Sequence, residues 1–438
     1  MNVISILGRQ PELSLAELEQ RFGSVNVRVF SDSAATVETD FFDITTLGGV
    51  VKAGKIIAEL EKTDWSRLSR DIVQRYARTF KGEGKLTLGI SVYGQDVPAR
   101  EVQRTGLALK QSLKKQGRSV RLVPNDGSAL STATSHHNKL GLSDNKVELM
   151  VVYGPKSVIV AESLGAQNIT ALAARDQCRP KRDAFVGMLP PKLALMMVNL
   201  SGITHESRSG SALSESSSGT QLAASETPDS LETSGARVSA GAHPTETRRE
   251  AVSKSIGSRA TILDPFCGTG VVLQEAALLG FNVYGTDLAE KMVDYTKANL
   301  EWLAVKHPIG SVKVEAGDAI EHQWQQPIDA VVAETYLGQP FSAPPAPNKL
   351  DKVKRIVEHI VGKFLENLAA QTKPGTPLCL AIPAWRDAQG RFTHLSVVNK
   401  LEPLGYEWQS LEHVDVKRLV YFREDQVVAR QLLILKRK

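Results

Sequence analysis

Cysteine is scarce. The three residues, Cys178, Cys267 and Cys379, lie far apart in a chain of 438. An odd, scattered trio supplies neither a disulfide framework nor the paired spacing of a cysteine metal site. This excludes small secreted scaffolds and zinc modules, predicts no metal, and suits a reducing, cytoplasmic setting. There is no run of 18 apolar residues, so no membrane-spanning helix is expected. The opening "MNVISILGRQPELSLAELEQRFG" lacks a basic leader and a small-residue cleavage site, so it does not read as a secretion signal. No internal repeat is visible. What remains is an ordinary globular composition, 42% hydrophobic and 23% charged, too long for a single core.

Charge is unevenly spread. Residues 51–200 hold 24 Lys and Arg against 13 Asp and Glu, whereas residues 201–438 hold 26 against 28. A basic front half is a candidate phosphate-binding footprint, although solvated basic faces are also common. Lys110, Lys114, Lys115, Arg118 and Arg121 are candidate phosphate contacts on that ground.

Residues 205–250 contain eleven Ser and no aromatic, Ile or Met. Such a stretch cannot bury enough apolar area to offset its ordering entropy, so a disordered linker or insert is expected over 204–257. Behind it, apolar runs at 260–264, 281–287, 312–316, 328–333, 377–382 and 430–436 alternate with helical patterns such as 270–279, 289–303 and 349–370. That alternation predicts a doubly wound, mostly parallel Rossmann-like α/β sheet over 258–438. The front half reads as α+β. It has a helix over 14–23 with Ser14 as N-cap, a strand over 85–94, a basic helix over 98–117, and strands at 119–124 and 147–154.

The chemistry concentrates in "ILDPFCGTGVVLQEAALLGFNVYGTDLA", residues 262–289. Asp264 ends a strand, Gly268 and Gly270 let a ligand approach the backbone, and the following helix points its amides at the same place. Asp287 ends the next strand, where an acid can accept hydrogen bonds from ribose hydroxyls, and Asp318 follows the third. A dinucleotide fits poorly, because Leu273 stands where the third fingerprint glycine belongs and Asp264 would repel a pyrophosphate. After the fourth strand, "IDAVVAE", comes Glu334-Thr335-Tyr336. An acid can grip an exocyclic amine, and an aromatic face can stack a base.

"DPFCGTG" closely resembles motif I of class I S-adenosylmethionine (SAM)-dependent methyltransferases. The resemblance implies Asp264, Phe266, Gly268 and Gly270 around the methionyl group, Asp287 on the ribose and Asp318 near the adenine. Glu334-Thr335-Tyr336 resembles the (D/N/S)-P-P-(Y/F/W) motif of amino-methyltransferases, with Thr335 in place of a proline. It implies Glu334 and Tyr336 as catalytic residues. The string "RDQCRPKRDAFVGMLPPKLALMMVNLSG" (175–202) resembles the connector of archaeal and eukaryotic tRNA guanosine-N2 methyltransferases.

The family implies an N-terminal α+β segment over 1–50, a THUMP-like RNA-binding domain over 51–165, a connector over 166–203 and the methyltransferase domain over 258–438. It implies guanosine at tRNA position 10 as target, and some members use a small activating subunit. Two alternatives stay open: a tRNA-binding protein that has kept the fold without transfer, and an amino-methyltransferase acting on ribosomal RNA or DNA.

Overall fold

A computed structural model of the chain describes residues 1–80, 84–183, 189–204 and 259–438. The Ser-rich stretch, from residue 205 to 258, lies outside the described residues. Residues 1–203 and 261–438 form one compact unit.

The front half is a single mixed sheet. Its strands are β1 (Asn2–Leu7), β2 (Val27–Ser31), β3 (Ala34–Glu38), β4 (Val50–Glu61), β5 (Leu86–Tyr93), β6 (Val120–Leu122), β7 (Lys146–Tyr153) and β8 (Ser157–Ala166), in the order β2-β3-β1-β4-β8-β7-β5-β6. The helices are α1 (Pro11–Phe22), α2 (Trp65–Thr79), α3 (Ala99–Lys115) and the short α4 (Thr132–His137). The predicted β-α-β order around the basic helix is present, with β5 and β6 parallel and α3 between them. Two expectations change. The boundary at 50/51 falls inside this sheet, because β1 pairs antiparallel with β4 (Val3 opposite Lys55). Ser14 does not cap α1, which starts at Pro11, where the ring presets helical φ. Ser14 is instead buried, donating to the Gly49 carbonyl at 2.8 Å and accepting from the Gly8 amide.

The connector forms α5 (Ile169–Gln177) and α6 (Pro191–Leu200). Nearly all of "PKLALMMVNL" is buried, because α6 lies between α1 and the first helix of the second sheet and has no solvent face. The chain ends tie the halves together further. Gln10 Nε2 donates to the Phe422 carbonyl, and the Glu19 carboxylate accepts from the Glu412 and His413 amides. Thus the two modules read from the sequence pack as one body.

The second sheet follows the predicted alternation closely. Its elements are β9 (Thr261–Asp264), α7 (Val271–Leu278), β10 (Asn282–Asp287), α8 (Glu290–Ala304), β11 (Val312–Ala316), β12 (Ala330–Glu334), α9 (Pro347–Gln371), β13 (Pro377–Arg386), β14 (Phe392–Thr393), β15 (Tyr406–Trp408), β16 (Val420–Tyr421) and β17 (Val428–Arg437). The main order is β11-β10-β9-β12-β13-β17-β15, parallel except for β17 and its neighbours. Strand order reverses between β9 and β12, and open α/β sheets bind ligands at such a switch point, beyond the carboxyl ends of the strands.

Candidate ligand site at the carboxyl edge of the second sheet

Asp264, Asp287 and Glu334 are the last residues of β9, β10 and β12, and Asp318 lies two residues beyond β11. All four therefore reach the same edge. The elbow between β9 and α7 is bound from several sides. The Gly268 amide donates to Asp287 Oδ2 at 2.9 Å, and the Ala289 amide donates to its other oxygen at 3.0 Å. Asp264 accepts from the Phe266 amide. Phe266 itself packs edge-on against Phe364, with ring centroids 5.0 Å apart. The Gly317 amide donates to the Asp287 carbonyl and so ties the Asp318 turn to β10.

Glycine is needed at two places in the elbow. Gly268 has φ 51° and Gly270, which precedes α7, has φ 81°. A Cβ on Gly270 would also sit 2.9 Å from Thr296 Cγ2. Thr296 is itself engaged, donating to the Gly268 carbonyl at 2.8 Å. Asn299, one turn along α8, donates to the Thr269 carbonyl and to the Lys181 carbonyl, while its Oδ1 accepts from the Lys181 amide. Neither Thr296 nor Asn299 was marked by the sequence pattern.

Leu273, the residue that argued against a dinucleotide fingerprint, has a packing reason. Its Cδ1 would lie 2.5 Å from a Cβ on Gly285 of β10. Close helix–strand approach is thus provided by a glycine on the strand, which frees position 273 for a core leucine.

Electrostatics favour a cation. Burial, above all, holds the Asp264 carboxyl well above the usual carboxylate range, and the Asp287 and Glu334 charges push it the same way. Asp287 is also raised by burial, opposed by its two amide donors. Among the described residues one ion pair reaches these three acids: Arg430 Nε lies 2.6 Å from Glu334 Oε1. Carboxyl groups gathered at one edge with a single guanidinium oppose a pyrophosphate, and a sulfonium or ammonium group placed there would favour their ionised forms. Beside Asp287, Leu288 is 74% exposed and offers an apolar face at this edge.

After β12 the chain continues through Thr335 and Tyr336. The Thr335 amide donates to the Ala381 carbonyl at 3.0 Å, continuing the β12–β13 ladder. A proline has no N–H to give there. Tyr336 is 44% exposed on the loop that follows. The structure thus brings Asp264, Phe266, Gly268, Gly270, Asp287 and Glu334 to one edge, with Asp318 after the neighbouring β11, accepting from the Ile320 amide, and Tyr336 exposed on the loop after β12.

The basic string of the connector divides. Arg175 makes a bidentate pair with Glu275 of α7, at 2.6 and 3.0 Å, so it holds the halves together. Lys181 lies over the Tyr295 ring. Residues 184–188 of that string lie outside the described residues. On α3, Lys114 and Lys115 are exposed, as is Arg121 on β6.

Comparison with known proteins finds relatives over this part of the chain. Residues 256–380 match the model of a methyltransferase domain. A tRNA (guanine(10)-N2)-dimethyltransferase of Methanothermobacter thermautotrophicus is 34% identical over 128 residues, 29% of this chain and 34% of that protein. The Pyrococcus abyssi protein of the same name is 42% identical over 88 residues, 20% of this chain and 22% of that one. The chain therefore spans about a third or less of the length of these curated relatives. A crystal structure of TrmN from Thermus thermophilus aligns along 100% of this chain and 99% of its own, at 16% identity and a TM-score of 0.48.

Proposed function

We propose that this protein transfers a methyl group from SAM to the exocyclic N2 amine of a guanosine in tRNA. The observation that carries the reading is the cluster of acids at the carboxyl edge, where a glycine elbow hydrogen-bonded to Asp287 lies beside Asp264 and Glu334. These residues fit the donor. Asp264 and the elbow amides would hold the methionyl end, Asp287 would accept from the ribose hydroxyls, and Leu288, Phe266 and Asp318 would border the base. SAM supplies an already electrophilic methyl group, so the protein's contribution is mainly positioning.

The chain's own residues then act on the acceptor. Tyr336 stacks the extruded guanine, as an exposed aromatic beside a polar edge can. Glu334 accepts a hydrogen bond from the N2 amine and takes its proton as the nitrogen becomes cationic. The basic front sheet, with Lys114, Lys115 and Arg121, serves as the RNA-binding module in the THUMP-like role, gripping backbone while the near-neutral half does the chemistry. The names of the curated relatives support guanosine 10 as the target.

Labelled-methyl transfer from SAM to unmodified bulk tRNA tests this. The expected result is incorporation by the wild type and a loss on the order of a hundredfold in Glu334→Gln, the size typical of a lost general base. Binding of S-adenosylhomocysteine should be unchanged in that variant. Equal incorporation by both proteins would remove Glu334 from the chemistry.

A further inference from the structure

The acid at position 334 is longer than the Asp, Asn or Ser of the amino-methyltransferase pattern, and the structure shows what its extra length reaches. Glu334 of β12 stands opposite Ala381 of β13, and Arg430 of β17 stands opposite Pro383 of β13. The two side chains therefore come from strands that are not neighbours and meet across the intervening one. Arg430 Nε lies 2.6 Å from Glu334 Oε1, with the side chains only 9% and 14% exposed. Among the described residues no donor engages Glu334 Oε2. A buried guanidinium fixes a carboxylate strongly, because neither group can fall back on water.

We propose that Arg430 is a positioning residue for the methyl-transfer reaction, resting on the function proposed above. It holds Glu334 through Oε1 so that Oε2 is presented in a fixed place to the acceptor amine. The Arg430–Glu334 pair thus takes the place of the short, proline-stiffened acid motif. Rigidity comes from an ion pair across β13, while Thr335 remains free to hydrogen-bond in the ladder. Nothing in the sequence links the two residues, which are 96 positions apart.

Three proteins, wild type, Arg430→Ala and Arg430→Lys, are compared for kcat and KM on tRNA and for S-adenosylhomocysteine affinity by calorimetry. In Arg430→Ala, kcat is expected to fall by about thirtyfold or more, with cofactor affinity within about threefold of wild type. Ethylguanidinium added to Arg430→Ala should restore part of kcat, and ethylammonium should not. Arg430→Lys should lie between, because a point charge does not reproduce the planar donor. An unchanged kcat in Arg430→Ala overturns the proposal. So does a variant that loses cofactor binding together with kcat and is not rescued, since that is a structural role. A wild type that binds S-adenosylhomocysteine but methylates no tRNA overturns both this inference and the function beneath it. That case is recognised because the unmutated protein is itself silent.

Discussion

Asp264 is the residue whose environment is most at odds with its charge. It is 2% exposed, and burial raises its carboxyl well above the ordinary range. The sign follows directly. In the unfolded chain the carboxyl ionises near 3.9. In the folded protein it ionises higher, so its cost to stability is absent below the unfolded value, grows as pH rises between the two, and is complete above the folded value. Asp264→Asn keeps an acceptor for the Phe266 amide and removes the charge. The variant should melt higher than wild type at pH 7.5, by about 2 °C or more, where each kcal/mol is worth roughly that in a domain of this size. Its advantage should shrink towards pH 4.5. It should also bind S-adenosylhomocysteine at least about tenfold more weakly, since a residue that destabilises the fold is retained for what it does to a ligand. Equal melting temperatures at both pH values would show that the carboxyl carries no such cost.

Among the elements, the β9–α7 elbow is held by backbone geometry that only glycine meets easily. At Gly270 the φ of 81° and the 2.9 Å approach to Thr296 coincide. Gly270→Ala should cost about 1–3 kcal/mol from the strained backbone, with further loss as Thr296 gives way. Chemical denaturation and cofactor titration would both register it, and a neutral result in both would mean that the elbow adapts.

The same scale shows what could be read from the chain. β9 to β13 and their helices were legible because apolar runs of strand length alternate with helical spacing, and because Asp264, Asp287 and Glu334 each end a run. β4 was not, since Lys, Gly, Ala and Glu make up much of "VKAGKIIAELE" and are weak strand formers. Thr296 and Asn299 look like any polar residues on a helix until α8 is placed against the elbow. Arg430 was invisible for the same reason: its meaning depends on the register of β17 against β13. The acids were found by position along a strand, whereas their partners required the third dimension.

At the scale of the whole molecule, the connector decides that two sheets make one body. Arg175 and Glu275, with side chains 15% and 1% exposed, join α5 to α7 through two hydrogen bonds. Removing one partner of such a buried pair leaves an uncompensated charge. Arg175→Met should therefore destabilise the protein by about 3–5 kcal/mol in urea, and adding Glu275→Gln should recover part of that loss. A double variant no more stable than the single one would show that the coupling lies elsewhere. Because the connector leads directly into the Lys181 segment clamped by Asn299, the front half and the elbow are joined by the same short stretch of chain.

The most direct measurement is mass spectrometry of nucleosides from unmodified tRNA after incubation with the protein and SAM. A new N2-methylguanosine or N2,N2-dimethylguanosine peak is expected, absent when the Glu334→Gln protein is used. A methylated adenosine or cytidine in its place, or an unmodified tRNA in the presence of a protein that binds SAM, would contradict the proposed function.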